Sequence, residues 1–258
     1  MTTPRNSPAV ERAPRDSRWP TLDPRAQRMV EFLAQGPYAN SRALQRLRLT
    51  LLVWVIRNKL SENVKRAFDV AVGAVALLVM SPVMLIAAIA IRLDTPGPVI
   101  FYQKRVGKWG KPFDCYKFRS MYVDAEARKA ELSSLNEADQ VVFKIKHDPR
   151  ITRVGYLLRK LSIDELPQLI NVLKGDMSLV GPRPPVPYEV SQYSYEHLQR
   201  LDAVPGITGL QQVSGRSDLS FRRWIELDLQ YINEQSLWRD IGILIRTIPA
   251  VISGKGAY

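Results

Sequence analysis

The sequence predicts a helix-rich α+β protein, in which a membrane helix broken at a Ser-Pro pair precedes a soluble domain with a small sheet. Three observations carry that expectation. Val70–Ile91 is a run of 22 residues without a charge, interrupted by Ser81-Pro82. Short aromatic and β-branched segments follow it near residues 99–103 and 113–118. Stretches with apolar residues three and four apart then dominate the C-terminal part, at 154–174, 219–233 and 236–252.

Composition bounds the rest. The 258 residues are 46% apolar, enough for a packed core, and this excludes a wholly disordered chain. A single cysteine, Cys115, excludes an internal disulfide framework and a multi-cysteine zinc site. Two histidines, His147 and His197, leave little for a His-rich metal centre. Carboxylates and basic groups must therefore carry any chemistry. The net charge of +12 is uneven, because residues 1–66 hold 13 Lys/Arg against 5 Asp/Glu. An excess placed beside the most apolar segment suits an anionic surface, lipid rather than nucleic acid.

Residues 1–40 read as a basic Pro- and Arg-rich leader, with 1–24 a tail that lacks the apolar core of a secretory signal. Residues 41–63 read as a helix. Its apolar stretch, Leu49–Ile56, is too short to span a bilayer, and basic residues surround it. It suits the headgroup plane or, equally, the core of the soluble part. Residues 64–94 form the membrane element. A straight helix of the uncharged run reaches ~33 Å, enough to cross. Pro82 removes one backbone bond and crowds the Leu78 carbonyl, so a bend belongs there, and Ser81 can hydrogen-bond the freed backbone. Basic residues flank both ends, which gives a span no preferred orientation. A re-entrant helix with both ends on the cytoplasmic side meets every constraint; a kinked single span stays open.

The soluble domain is 95–258. Thr95–Pro98 is a turn, Val99–Gln103 and Phe113–Phe118 are strands, 124–139 a helix and Val141–Ile145 a strand. His147 precedes an Asp-Pro-Arg turn, and His197 belongs to a charged helical surface. Helix 154–174 is interrupted around Ser162–Pro167. Ser162 and Glu165 have capping-box spacing, and Pro167 fits a first turn, so a helix restarts there with Leu166, Leu169, Ile170 and Leu173 inward.

Within that segment Asp164 and Glu165 allow two readings. On one, they simply complement a helix dipole. On the other, one carboxylate serves as a nucleophile while its neighbour holds Mg²⁺ against a phosphate, with Arg159 and Lys160 at hand. Gly181-Pro182-Arg183-Pro184 presents a rigid arginine, and Pro205-Gly206-Ile207-Thr208-Gly209 leads through a glycine-punctuated loop to Arg216. Lys117 and Arg119 lie on the second strand, where a solvated face is the plain alternative. Neither a P-loop nor a dinucleotide glycine fingerprint occurs.

In order, these pieces resemble one family closely. They are Lys65-Arg66-x-Phe68-Asp69, the run with Ser81-Pro82, Gln103-x-Arg105-x-Gly107, Lys117–Met121 and Asp148-Pro149-Arg150. Then follow Leu161–Gln168, Gly175–Pro184 and Pro205–Gly209. The chain from about residue 64 is similar to the bacterial sugar transferases, monotopic phosphoglycosyl transferases acting on a polyprenyl phosphate. The resemblance implies transfer of a hexose 1-phosphate from a UDP-hexose to undecaprenyl phosphate, with release of UMP, at the start of exopolysaccharide or glycan assembly. It implies Asp164 as nucleophile, Glu165 as Mg²⁺ ligand, and Lys117, Arg159, Arg183 and Arg216 as phosphate-binding groups. It also implies a re-entrant break at Ser81-Pro82 and an active site on the cytoplasmic face of the bacterial inner membrane. Self-association is left open.

Two positions depart from the family's pattern. Val204 stands where a basic residue is common before the proline, and Gln211 where a Trp is common. The ending from Thr247 through Tyr258 looks like members that transfer galactose or glucose 1-phosphate. Two other classes compete. A nucleic-acid-binding protein is disfavoured, since residues 67–258 carry nearly balanced charge, 24 basic against 20 acidic. A non-catalytic membrane scaffold of a polysaccharide assembly complex would leave Asp164-Glu165 with only a capping task.

Overall fold

The computed structural model describes residues 42–129 and 148–254, together with Leu132, Ile145 and Gly256. The leader 1–40, most of the expected 124–139 helix, the 141–145 strand apart from Ile145, and His147 lie outside the described residues. The chain divides into two compact units, residues 1–62 and 63–258. The first is represented by the opening turns of helix α1, Arg42–Asp94, whose side chains between Leu49 and Leu60 are largely exposed.

The second unit starts within α1. This is the one described helix long and apolar enough to cross a membrane by length and composition, and 11% of its most apolar window is buried. Two stripes of it dock onto the rest of the unit. Phe68, Val72, Ala76 and Leu77 pack against the main core, and Ala87 and Ile91 belong to a second cluster with Phe118 and Leu158. Leu78, Val79, Leu85, Ile86, Ile89 and Leu93 remain exposed. The residues remain helical through Pro82, the position of the expected bend. Pro82 leaves the Leu78 carbonyl without its usual amide donor, and Ser81 Oγ donates to that oxygen at 2.7 Å.

Strands β1 (Ile100–Val106) and β2 (Pro112–Phe118) form an antiparallel hairpin, in register from Ile100 opposite Phe118 to Val106 opposite Pro112. Helix α2 (Arg153–Lys160) is capped by Thr152, whose side chain accepts the Gly155 amide. A 3-10 turn, Ile163–Glu165, separates it from α3, Gln168–Lys174. A second pair, β3 (Ser178–Val180) and β4 (Gly206–Thr208), is parallel. The sheet content of the described residues is thus two separate two-stranded pairs. Short helices α4 (Pro187–Ser191) and α5 (Tyr195–Leu198) connect β3 to β4, and α6 (Leu210–Ser214) follows β4. Helices α7 (Phe221–Asn233) and α8 (Leu237–Ser253) close the unit, each started by a serine side chain, Ser220 and Ser236, that accepts an amide three residues on.

The glycines near β3 and β4 have a packing cause. A Cβ on Gly206 would lie 2.1 Å from the Gly181 nitrogen, and one on Gly181 would lie 2.4 Å from the Val204 carbonyl oxygen. Only glycine permits this backbone approach. What read as a punctuated loop is a strand pair, and it fixes where Arg183 and α6 emerge. The main core beneath it joins Cys115, Leu169, Val172, Met177, Val180, Leu210, Leu227, Tyr231 and Ile243. His197 is half-buried rather than a free surface group, with its ring edge-on to Phe221 at 5.3 Å.

Candidate active site

One cavity of about 1160 Å³ gathers all six predicted chemical residues: Lys117, Arg159, Asp164, Glu165, Arg183 and Arg216. Met80 and Val83 of α1 also line it, while Ser81 and Pro82 between them do not. The six come from five places in the chain. Lys117 is carried by β2 and Arg159 by the end of α2. Asp164 and Glu165 sit in the 3-10 turn. Arg183 follows β3, and Arg216 begins the turn after α6.

Backbone strain marks one of these positions, Arg216, and a further lining residue, Ser162. Ser162 has φ 55° and Arg216 has φ 51°, left-handed conformations that cost a non-glycine residue about 1–3 kcal/mol. At Ser162 this overturns the capping-box expectation. Its side chain caps nothing, and the Glu165 side chain reaches Lys117 and Arg183 instead. The helix does restart nearby, with Pro167 just before Gln168. Its inward face is Gln168, Leu169, Asn171 and Val172, whereas Ile170, expected inside, is exposed. Asp164 lies in the 3-10 turn that leads through Leu166 and Pro167, both right-handed helical, into that helix, so a favourable helix dipole acts on it as well.

The two adjacent carboxylates meet opposite environments. Glu165 Oε1 accepts from Lys117 Nζ at 2.9 Å and from Arg183 Nη1 at 3.3 Å. Burial alone would raise its pKa, but the charges of Lys117 and Arg183 outweigh that and hold it well below the usual carboxylate range. Asp164 is 7% exposed and makes no hydrogen bond or ion pair with a described residue. Burial first, and the Glu165 charge second, push its carboxyl up to about 6 against the pull of Lys117, Arg159 and Arg183. It remains mostly ionised at pH 7 while becoming more basic than an exposed aspartate. A pair driven apart in this way is a frequent sign of divided acid–base or nucleophilic work.

The cations differ as well. Burial lowers the Arg183 pKa, but the charges of Glu165 and Glu189 reverse the balance and raise it overall. Burial lowers that of Arg216, which nonetheless stays a cation. Arg159 and Arg216 form no ion pair with a described residue, so both are available to an anion. Arg119, by contrast, is buried and bonded to the carbonyls of Pro96 and Thr95 at 2.5 and 2.7 Å. It shapes the turn after α1, although its sequence neighbours gave it the same standing as Lys117.

Sequence reasoning gave no bracing task to the groups around these side chains, although Arg105 and Thr208 stand in its motifs and Gln211 was a noted departure. Arg200 is buried with Asp228 at 2.6 Å and donates to the Arg183 carbonyl at 3.1 Å. Arg105 donates to the Pro184 carbonyl at 2.7 Å and has its pKa lowered to about 10, first by burial and then by Arg183. Thr208, Gln211 and Gln212 line the cavity too. No local pattern gives these residues their tasks, because most of the partners lie far away in the chain.

Residues 60–254 match the family model described as bacterial sugar transferase. The chain belongs to the bacterial sugar transferase family. Among curated relatives, it is 49% identical over 194 residues to galactosyl transferase CpsE of Streptococcus agalactiae, covering 75% of this chain and 43% of that protein. It is 44% identical over 211 residues to the undecaprenyl-phosphate galactose phosphotransferase of Salmonella typhimurium, covering 79% of this chain and 44% of that one. Exopolysaccharide production protein ExoY of Rhizobium meliloti is 41% identical over 198 residues, covering 75% and 88%. The chain therefore spans less than half the length of several relatives, and most of ExoY. The family segment contains all six cavity residues and Ser81-Pro82.

Proposed function

We propose that the protein transfers a hexose 1-phosphate from a UDP-hexose to undecaprenyl phosphate, releasing UMP, through a phosphosugar-aspartyl intermediate at Asp164. The observation that carries this is the Asp164 carboxylate, without a partner among the described residues, at a cavity lined by Lys117, Arg159, Arg183 and Arg216. An Asp164 oxygen attacks the β-phosphorus. The bond from that phosphorus to the bridging oxygen breaks, and its electron pair leaves with UMP. A phosphate oxygen of undecaprenyl phosphate then attacks the same phosphorus and frees the carboxylate. Two displacements at one phosphorus are easier than direct reaction of two anions. The four cations supply electrostatic stabilisation of the transferring group.

The donor set suits Mg²⁺. Phosphoryl-transfer sites hold this ion by one or two carboxylates together with substrate phosphates. Asp164 and Glu165 adjoin at the cavity, and no cluster of three or more His, Cys, Asp or Glu side chains occurs among the described residues. Glu165 would hold the ion, with substrate oxygens completing its shell. Bound there, Mg²⁺ supplies neutralisation of phosphate charge.

In this reading α1 enters and leaves the cytoplasmic leaflet by one face and bends at Ser81-Pro82. That brings the cavity to the surface where a soluble donor meets a lipid phosphate. The exposed apolar face of α1, and Met80 and Val83 at the cavity wall, support it. The test is to incubate detergent-solubilised protein with Mg²⁺, undecaprenyl phosphate and a panel of UDP-sugars. UMP release is then measured, and protein quenched mid-reaction is analysed by mass spectrometry. A hexose-phosphate adduct on the peptide containing Asp164 is expected. Turnover with that peptide always unmodified would remove the covalent step.

A further inference from the structure

The wall of the cavity formed by β4 and α6 has a hydrogen-bonding character unlike that of its cationic part. Gln211 is 4% exposed. Its Nε2 donates to the Arg216 carbonyl at 2.9 Å. A carbonyl can only accept, so this bond fixes which end of the amide is which. Oε1 is left buried with no hydrogen-bond partner among the described residues. Thr208, 5% exposed, reaches the same condition by another route. Thr247 Oγ1 donates to the Ile243 carbonyl at 2.8 Å. Its proton thus committed, it accepts from Thr208 Oγ1 at 2.8 Å. The Thr208 hydroxyl has then used its proton and keeps only acceptor capacity.

Gln212, beside them, has neither amide atom partnered among the described residues. A buried acceptor without a donor costs about 1–3 kcal/mol, and such a group in a native fold calls for an explanation. Elsewhere the cavity presents cationic donors, Lys117, Arg159, Arg183 and Arg216, around the carboxylates of Asp164 and Glu165. Ionised phosphates, which carry acceptors and no donors, are matched there and not at Gln211. The polyprenyl chain has neither. Hexose hydroxyls are the part of the donor substrate richest in O–H groups.

We propose that Gln211 Oε1, with Thr208 Oγ1, accepts hydrogen bonds from hydroxyl groups of the transferred hexose, making Gln211 a residue that determines sugar specificity. This rests on the function proposed above. The subsite recognises a neutral polyol by its hydroxyl protons, while the cations hold the diphosphate. Arg216 links the two parts: its backbone carbonyl orients Gln211 and its guanidinium lines the same cavity.

The experiment uses the full chain in detergent, with the UDP-hexose it turns over best and the four analogues lacking one hydroxyl at C2, C3, C4 or C6. The wild type is expected to lose ten- to hundredfold in kcat/KM on at least one analogue. Gln211→Leu is expected to lose as much on the parent sugar and to show no further loss on that same analogue. Inhibition by UMP, which carries uracil, ribose and phosphate but no hexose, is expected to be equal in the two proteins. Wild-type turnover indifferent to every missing hydroxyl overturns the inference even if the variant fails to fold. So does an analogue loss that is undiminished in Gln211→Leu, or UMP inhibition weakened as much as hexose transfer, which would place the uridine, by its ribose hydroxyls or its uracil, there. Absence of turnover by the wild type with any UDP-hexose would remove the functional reading itself and is a separate result.

Discussion

Two clusters of charge lie in the same unit and differ in one respect. Both carboxylate oxygens of Asp240 are partnered. Its Oδ2 meets Lys65 Nζ at 2.5 Å and its Oδ1 accepts the Tyr231 hydroxyl at 2.7 Å. Lys65 also donates to the Val180 carbonyl, and Asp69 accepts the Leu179 amide at 3.1 Å. Around Asp164 the carboxylate has no partner among the described residues, and two arginines are uncommitted. Burial raises the pKa of both aspartates. A closed set of ion pairs ties α1 to β3 and α8, whereas an open set retains charge for something that is not protein. Burial alone would not separate the two; partner accounting does.

The contrast is broken most sharply by Asp164→Asn. Transfer, read as UMP release, should fall by at least about 10⁴-fold, as expected for loss of a nucleophile. The thermal midpoint should hold or rise, because an unpaired buried charge has been removed. Lys65→Met should do the reverse. It leaves Asp240 buried without its cation and should destabilise the fold by about 3–5 kcal/mol in denaturant titration. The pH midpoint of the remaining activity should not move. If Lys65→Met left stability intact, the Asp240 cluster would lose its standing as the structural member of the comparison.

A smaller effect sharpens it. With the Asp164 carboxyl pushed up to about 6, kcat/KM for the UDP-hexose should rise as pH increases through 6 and then level if, as proposed, the ionised form is the nucleophile. Lys117→Met removes a cation that opposes the rise, so the midpoint should move up by about one unit. The stability sign is fixed too. A carboxyl raised in the folded state stabilises most below its unfolded value near 3.9, and that contribution is lost as pH rises through about 6. Asp164→Asn should remove this slope from a plot of stability against pH.

What the sequence disclosed and what it hid divide along the same line. Asp164, Glu165 and the four cations were legible because each sits in a short ordered motif, and one cavity gathers them. The segments at 219–233 and 236–252 were legible from period and length, and α7 and α8 follow them closely; the 22-residue uncharged run lies inside α1, a single 53-residue helix that also takes in the segment read separately as 41–63. Strands β3 and β4 were not, since three residues are too few to show alternation and their glycines resemble turn signals. The Ser162–Glu165 spacing misled for a physical reason: Glu165 gains two ion pairs across the cavity, which a local cap cannot match. The tasks of Arg200, Arg105 and Gln211 were hidden because they lie in partners remote in the chain, such as the Arg183 and Pro184 carbonyls, or in the absence of one.

The smallest effect concerns Ser81, a polar group that is closed like Asp240 yet stands on the exposed face of an apolar helix. Its hydroxyl replaces the amide that Pro82 cannot offer to the Leu78 carbonyl. In water a solvent molecule could take that place, and Ser81→Ala would cost little. In hydrocarbon no substitute exists, and loss of the bond should cost about 1 kcal/mol. The variant should therefore unfold like the parent when α1 is surrounded by water-accessible detergent headgroups, and earlier when it is embedded in lipid nanodiscs. Adding Pro82→Ala to Ser81→Ala should restore the nanodisc stability, because the backbone amide regained at position 82 then serves the Leu78 carbonyl directly. Equal loss in both media, or no rescue by the second substitution, would place this carbonyl in water and the middle of α1 outside the bilayer.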